Sequence, residues 1–124
     1  MIQALAIAGG GAVGAVARYW VSVGVYALLG RAFPYGTLTV NVLGSGLIGI
    51  LSVLLIERLA VAPEWRGAVL VGFLGAFTTF STFSYETLML LEDGYLLRAA
   101  LNVLGNVLLC LVAAWLGVSL GRAL

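Results

Sequence analysis

The chain has no histidine, a single cysteine (Cys110) and only two prolines among its 124 residues. Without His, and with one thiol in the middle of an apolar run, a His/Cys metal site and an intrachain disulfide framework are excluded. Charge is equally scarce, 9% of the residues, with six basic groups against five acidic ones and a net charge of +1. That balance offers no basic surface to nucleic acid and no polybasic patch to a membrane surface. No pair of carboxylates stands within an apolar run, so no acid–base or nucleophilic constellation can be assembled and the chain reads as no enzyme. Gly9-Gly10-Gly11 opens a glycine-rich run, but no strand precedes it, so it is not a phosphate loop or a dinucleotide fingerprint.

What is present is apolar. Hydrophobic residues make up 63% of the chain and the mean hydropathy is +1.17. A water-soluble domain of this size could not hide that much apolar surface, so the composition predicts an all-α integral membrane protein. The charges divide the chain into four stretches, roughly residues 3–29, 37–56, 67–91 and 96–120. Each is about 20 residues or longer, enough to cross a hydrocarbon core of ~30 Å at 1.5 Å per residue. Pro34 and Pro63 fall between the stretches, where they break nothing, and Glu92-Asp93-Gly94 is a tight polar corner. The first stretch lacks a basic segment before it and is long enough to span, so it is expected to be a retained helix. The whole of 1–124 is expected to form a single four-helix transmembrane domain.

Four spans put both ends of the chain on one side of the membrane. Arg58, Arg66 and Arg122 then fall on that side, and Arg31 and Arg98 on the other, joined by Arg18 if it snorkels to the far end of the first helix. Orientation is set by an excess of basic residues in cytoplasmic loops, and here there is almost none. Such a chain can insert both ways and pair with itself about a two-fold axis in the membrane plane. Gly10 and Gly14, and Gly117 and Gly121, have the small-residue spacing that lets helix backbones approach, either within one subunit or between two.

Polar residues inside the spans are costly and point to function. The densest run is Gly-Phe-Leu-Gly-Ala-Phe-Thr-Thr-Phe-Ser-Thr-Phe-Ser-Tyr, residues 72–85, with five Ser and Thr hydroxyls among aromatic rings. Its glycines and mediocre helix formers allow the backbone to leave regular helix. Thr37, Thr39, Asn41 and Ser45 mark the second span, and Asn102, Asn106 and Cys110 the fourth, so polar tracks run along three helices. Their simplest use is interhelical hydrogen bonding. A lumen is the other use, completed by a second subunit because four helices are too few to enclose one. No acid sits centrally to bind a cation, whereas amides and hydroxyls can donate to an anion. Phe80 and Phe83 share a helical face, and a benzene edge carries the positive part of its quadrupole. Rings presented edge-on can help solvate a small anion without holding it too tightly to leave; ordinary packing is the alternative use. Arg18 can attract anions in a wet vestibule or pair with Glu86.

Taken in order, Gly10-Gly11-Ala12-Val13-Gly14-Ala15 with Arg18-Tyr19, Gly36-Thr37-Leu38-Thr39-Val40-Asn41, and Gly72-Phe73-Leu74-Gly75 leading into Thr78-Thr79-Phe80-Ser81-Thr82-Phe83 resemble the Fluc/CrcB family of fluoride channels. The third block is the specific one, and the match runs through almost the whole chain. The resemblance implies an antiparallel, dual-topology homodimer with two pores and a break in the third helix. It implies passive export of fluoride across the prokaryotic plasma (inner) membrane by a multi-pass protein. It also implies a fluoride path lined by Asn41, Phe80 and Phe83; the residues themselves add Thr39, Ser81, Thr82 and Asn106 along the polar track and Arg18 at a vestibule. A structural sodium ion at the dimer centre would rest on the main-chain carbonyls of Gly75 and Thr78. Relatives often carry hydroxyl residues on the fourth helix where this chain has Asn102 and Asn106. A small dual-topology multidrug exporter shares the architecture, but it needs an acid in the middle of the first helix to couple protons, and this helix has none. A scaffold that conducts nothing is the third reading.

Overall fold

The four apolar runs become four helical spans, Ile2–Leu29, Tyr35–Arg58, Pro63–Glu92 and Leu96–Ala123, of 28, 24, 30 and 28 residues. All exceed the ~20 residues a bilayer requires. Together with the apolar composition this makes the chain a multi-pass membrane protein. The computed structural model describes residues 1–124. The ends follow local chemistry. Gly30 (φ 81°, ψ −177°) closes the first span at a positive φ that favours glycine, and its N–H bonds to the Tyr26 carbonyl. Gly94 between the third and fourth spans also has a positive φ (83°). The third span starts at Pro63, four residues before the apolar run, because proline at the first helical position has no N–H to leave unpaired.

The first span packs on the Gly67–Phe73 segment of the third, and the second packs closely along the Cys110–Ala123 segment of the fourth. The Phe80–Glu92 segment lies mainly on Leu96–Leu104. Glycines set these approaches. A Cβ on Gly14 would fall on the Phe73 carbonyl oxygen, and one on Gly117 would fall on that of Gly46. Both small-residue pairs therefore serve contacts inside one subunit. Since the obstacle is backbone, which cannot swing aside, Gly14→Val or Gly117→Val should destabilise the bundle by about 3 kcal/mol or more. Gly9→Ala, with nothing within 4 Å of the added carbon, should be neutral. Thermal melts in detergent check this, and a Gly117→Val melt equal to the parent's would contradict it.

Only 17 of the 124 residues are buried, so this thin bundle leaves most side chains to lipid or to another protein surface. Helical geometry lapses at two residues of the third span. Thr78 (φ −90°, ψ 161°) ends Leu74–Phe77, and Thr79 (φ −152°, ψ 123°) precedes Phe80–Glu92. Sequence places the conformational freedom in the Gly75–Thr78 stretch; Gly75 itself is helical, inside Leu74–Phe77, and the departure begins at the end of that stretch. The departure comes at the threonines, whose backbone and hydroxyl groups have other partners.

Candidate functional site

Those partners begin with Asn41. Its Oδ1 accepts the Thr79 N–H (2.8 Å), and its Nδ2 donates to the Thr79 carbonyl (3.0 Å) and to Asn106 Oδ1 (2.9 Å). One side-chain amide thus pairs with both backbone groups of an extended residue, as a neighbouring strand would. Next, Asn106 Nδ2 donates to the Asn102 carbonyl and to Asn102 Oδ1 (2.9 and 3.1 Å). Asn102 Nδ2 donates to Thr87 Oγ1 (2.9 Å), and Thr87 donates to the Phe83 carbonyl (2.8 Å). The chain of bonds leaves the third span at Thr79, crosses the second and fourth, and returns at Phe83. Asn102 and Asn106 are buried, and at membrane depth such amides must be fully paired.

Thr79 also starts the Phe80–Glu92 helix. Its Oγ1 accepts the Thr82 N–H (3.2 Å) and donates to Thr82 Oγ1 (3.1 Å), the N-cap arrangement expected of threonine. With the Thr79 N–H turned to Asn41 and that of Thr82 turned to the cap, neither reaches the Gly75 or Thr78 carbonyl as it would in an unbroken helix. Thr78 turns its own hydroxyl back to the Leu74 carbonyl (2.9 Å).

Part of this network borders one groove of about 500 Å³, lined among others by Asn41, Gly75, Thr78, Phe80, Phe83 and Asn106. The Phe80 and Phe83 rings meet edge to face, centroids 5.4 Å apart at 65°. Phe83 is 8% exposed and Phe80 78%, so one ring is anchored and the other projects from the subunit. The groove excludes four residues placed with it by sequence. Thr39 spends its hydroxyl on the Tyr35 carbonyl one turn back (2.7 Å). Ser81 is exposed and Thr82 half-buried; both sit in the first turn of Phe80–Glu92, and neither lines the groove. Arg18 is half-buried on the first span and does not pair with Glu86. The one ion pair joins Glu57 to Arg122 (3.2 Å), and Glu86 Oε2 accepts from the Tyr26 hydroxyl (3.3 Å).

The family model described as CrcB-like protein, Camphor Resistance (CrcB), matches residues 5–118. The chain belongs to the CrcB-like family. A Geobacter sulfurreducens protein named fluoride-specific ion channel FluC is 56% identical over 124 residues, covering all of both chains. A Methylococcus capsulatus protein of the same name is 63% identical over 123 residues, 99% of this chain and 54% of that one. The chain therefore spans about half of the Methylococcus relative and the full length of the Geobacter one. A Coxiella burnetii protein, also named fluoride-specific ion channel FluC, is 54% identical over 112 residues, 90% of each. Among the residues of this chain that sequence alone did not single out, Thr87 and Tyr26 stand out. Thr87 sits in the network, and Tyr26 binds Glu86. Their partners lie 15 and 60 residues away, and no local pattern marks either.

Proposed function

We propose that this chain is a fluoride-selective channel that lets fluoride leave the cell passively across the prokaryotic inner membrane. The observation that carries the reading is the groove, where asparagine amides and two phenyl rings packed edge to face converge with no carboxylate on its walls. The N-terminus of the 13-residue Phe80–Glu92 helix opens at the same place, and its dipole adds positive potential for an anion. Ring edges and amide N–H groups can replace water around a small anion without a fixed cation to trap it. Both Asn41 donors are engaged in this arrangement. An arriving fluoride takes the N–H now given to Asn106, so binding and release are an exchange of hydrogen bonds. The names carried by full-length relatives point the same way. The multidrug-exporter reading finds no support, since the first span has no acid.

A single subunit leaves the groove open on its flank, with Phe80 and Ser81 exposed at membrane depth. Polar groups there are expensive in lipid, which supports a second copy as the missing wall. The balanced arginines support an antiparallel arrangement. Arg58 and Arg122 meet at one end of the bundle, where Arg58 Nη2 donates to the Arg122 carbonyl, and Arg98 bonds the Ala32 carbonyl at the other.

The family also implies a sodium ion, and the residues fit one. The Gly75 and Thr78 carbonyls have lost the N–H donors of a continuous helix, and the space beside Gly75 is open. No group of three His, Cys, Asp or Glu competes for a metal, and neutral oxygens suit an alkali ion. Such an ion would supply fixed positive potential beside the anion path. Replacing sodium exhaustively with a bulky organic cation should lower fluoride flux slowly, with recovery when sodium returns. Undiminished flux after the exchange would remove sodium from the account.

The deciding experiment is fluoride release from liposomes containing the purified protein, followed with a fluoride electrode. Rapid release of fluoride with chloride retained is expected. No release above protein-free vesicles, or equal release of both ions, would overturn the proposal.

A further inference from the structure

Asn102 looks from sequence like another member of the fourth-span track, one turn from Asn106. Its environment is different. It is 0% exposed, and it is not on the wall of the groove. Its Oδ1 is taken by Asn106 and its Nδ2 by Thr87. Thr87 in turn gives its hydroxyl proton to the carbonyl of Phe83 (2.8 Å). The bond from Asn102 to Thr87 is therefore a cross-link from the fourth span to the turn that carries the Phe83 ring. The Phe80–Glu92 segment touches the second span only lightly and rests mainly on Leu96–Leu104, which includes Asn102. Three polar links hold it: Thr79 on Asn41 at its start, Glu86 on the Tyr26 hydroxyl of the first span, and Thr87 on Asn102 two turns after Thr79. The links at Thr79 and Thr87 run through the same asparagine chain.

We propose that Asn102 and Thr87 are positioning residues, which set the angle of the Phe80–Glu92 helix and with it the Phe83 ring, and do not line the pathway. The inference rests on the fluoride-channel reading. It accounts for a fully buried asparagine that an ion could not reach. It also explains why a threonine one turn beyond Phe83 has its hydroxyl shared between two helices.

Thr87→Val removes the hydroxyl at constant shape, and Thr87→Ser keeps it. Thr87→Val should lower fluoride flux about tenfold, the scale on which loosely held sites lose function, whereas Thr87→Ser should stay near wild type. Because Thr87 acts through Phe83, adding Thr87→Val to Phe83→Ile should cost nothing further. Damage to the fold as a whole would instead add to the Phe83→Ile loss. Flux is read at a protein density that keeps Phe83→Ile well above empty vesicles. If Thr87→Val alone does not fold, the Thr87→Val/Asn102→Leu double variant replaces it: the Asn102–Thr87 pair is then apolar on both sides, and Asn106, which loses Asn102 Oδ1, keeps its bond to the residue 102 carbonyl. It should show the same loss and the same insensitivity in the Phe83→Ile background. Wild-type flux from Thr87→Val (or from the double variant in its place), equal losses from Thr87→Val and Thr87→Ser, or additive loss with Phe83→Ile would overturn the inference while the channel reading stands. A wild-type protein that carries no fluoride would overturn both.

Discussion

Asn41→Asp is expected to abolish fluoride release and to loosen the third span at the same time. Aspartate has the shape of asparagine and keeps an oxygen for the Thr79 N–H, but as a carboxylate it has no proton to give. The Thr79 carbonyl and Asn106 Oδ1 both lose their donor, and each buried acceptor left unpaired costs about 1–3 kcal/mol. The new negative charge also faces those two oxygens and stands in the path of an anion. From sequence, this substitution is expected to stop flux and spare the fold. The pair of hydrogen bonds to Thr79 changes that expectation, because Asn41 supports the extended residues as well as the groove. Flux from liposomes and a melt in detergent would both fall. An Asn41→Asp variant that conducts like its parent would show that neither the bridge nor the charge matters.

Biasing the loops with arginine should be as severe. In a bundle whose basic residues divide three against two or three, two or three arginines inserted after Asp93 should make the Glu92–Gly94 corner the cytoplasmic one in nearly every copy. Inserting them before Gly94 keeps that residue for the turn it makes at positive φ (83°). Without oppositely inserted partners the proposed antiparallel dimer could not form, and flux should disappear. Co-expression with a variant carrying the extra arginines between Arg58 and Pro63, on the opposite side, should restore it. A cysteine at exposed Asp93, in a Cys110→Ser background, should label from both sides of sealed cells in the parent and from one side in the biased variant. Labelling of the parent from one side alone would contradict dual insertion.

The four spans were legible because membrane crossing is a local property: twenty or so apolar residues between charges suffice, whatever lies next to them. The polar tracks were legible for the same reason, since a Thr, Ser or Asn in such a run has to find a partner. The identity of the partner was not legible. Asn41 meets Thr79 and Asn106, 38 and 65 residues away, and the pairing depends on which helix faces which. The Gly75–Thr78 stretch is short of strong helix formers, and the lapse from helix falls at its far end, at Thr78 and Thr79, with Gly75 itself still helical. Intrinsic freedom made a departure possible, and competing hydrogen-bond partners determined where it came. Phe80 and Phe83 show the same division. Spacing alone put them on one helical face, but only the packing of Phe80–Glu92 on the fourth span buried one ring and left the other outside. The sequence by itself determined a four-span helical membrane protein with polar groups at mid-depth, because hydropathy acts residue by residue. The tertiary structure decided which of those groups brace one another and which face the groove, because each donor is satisfied only once, by whatever acceptor the fold brings to it.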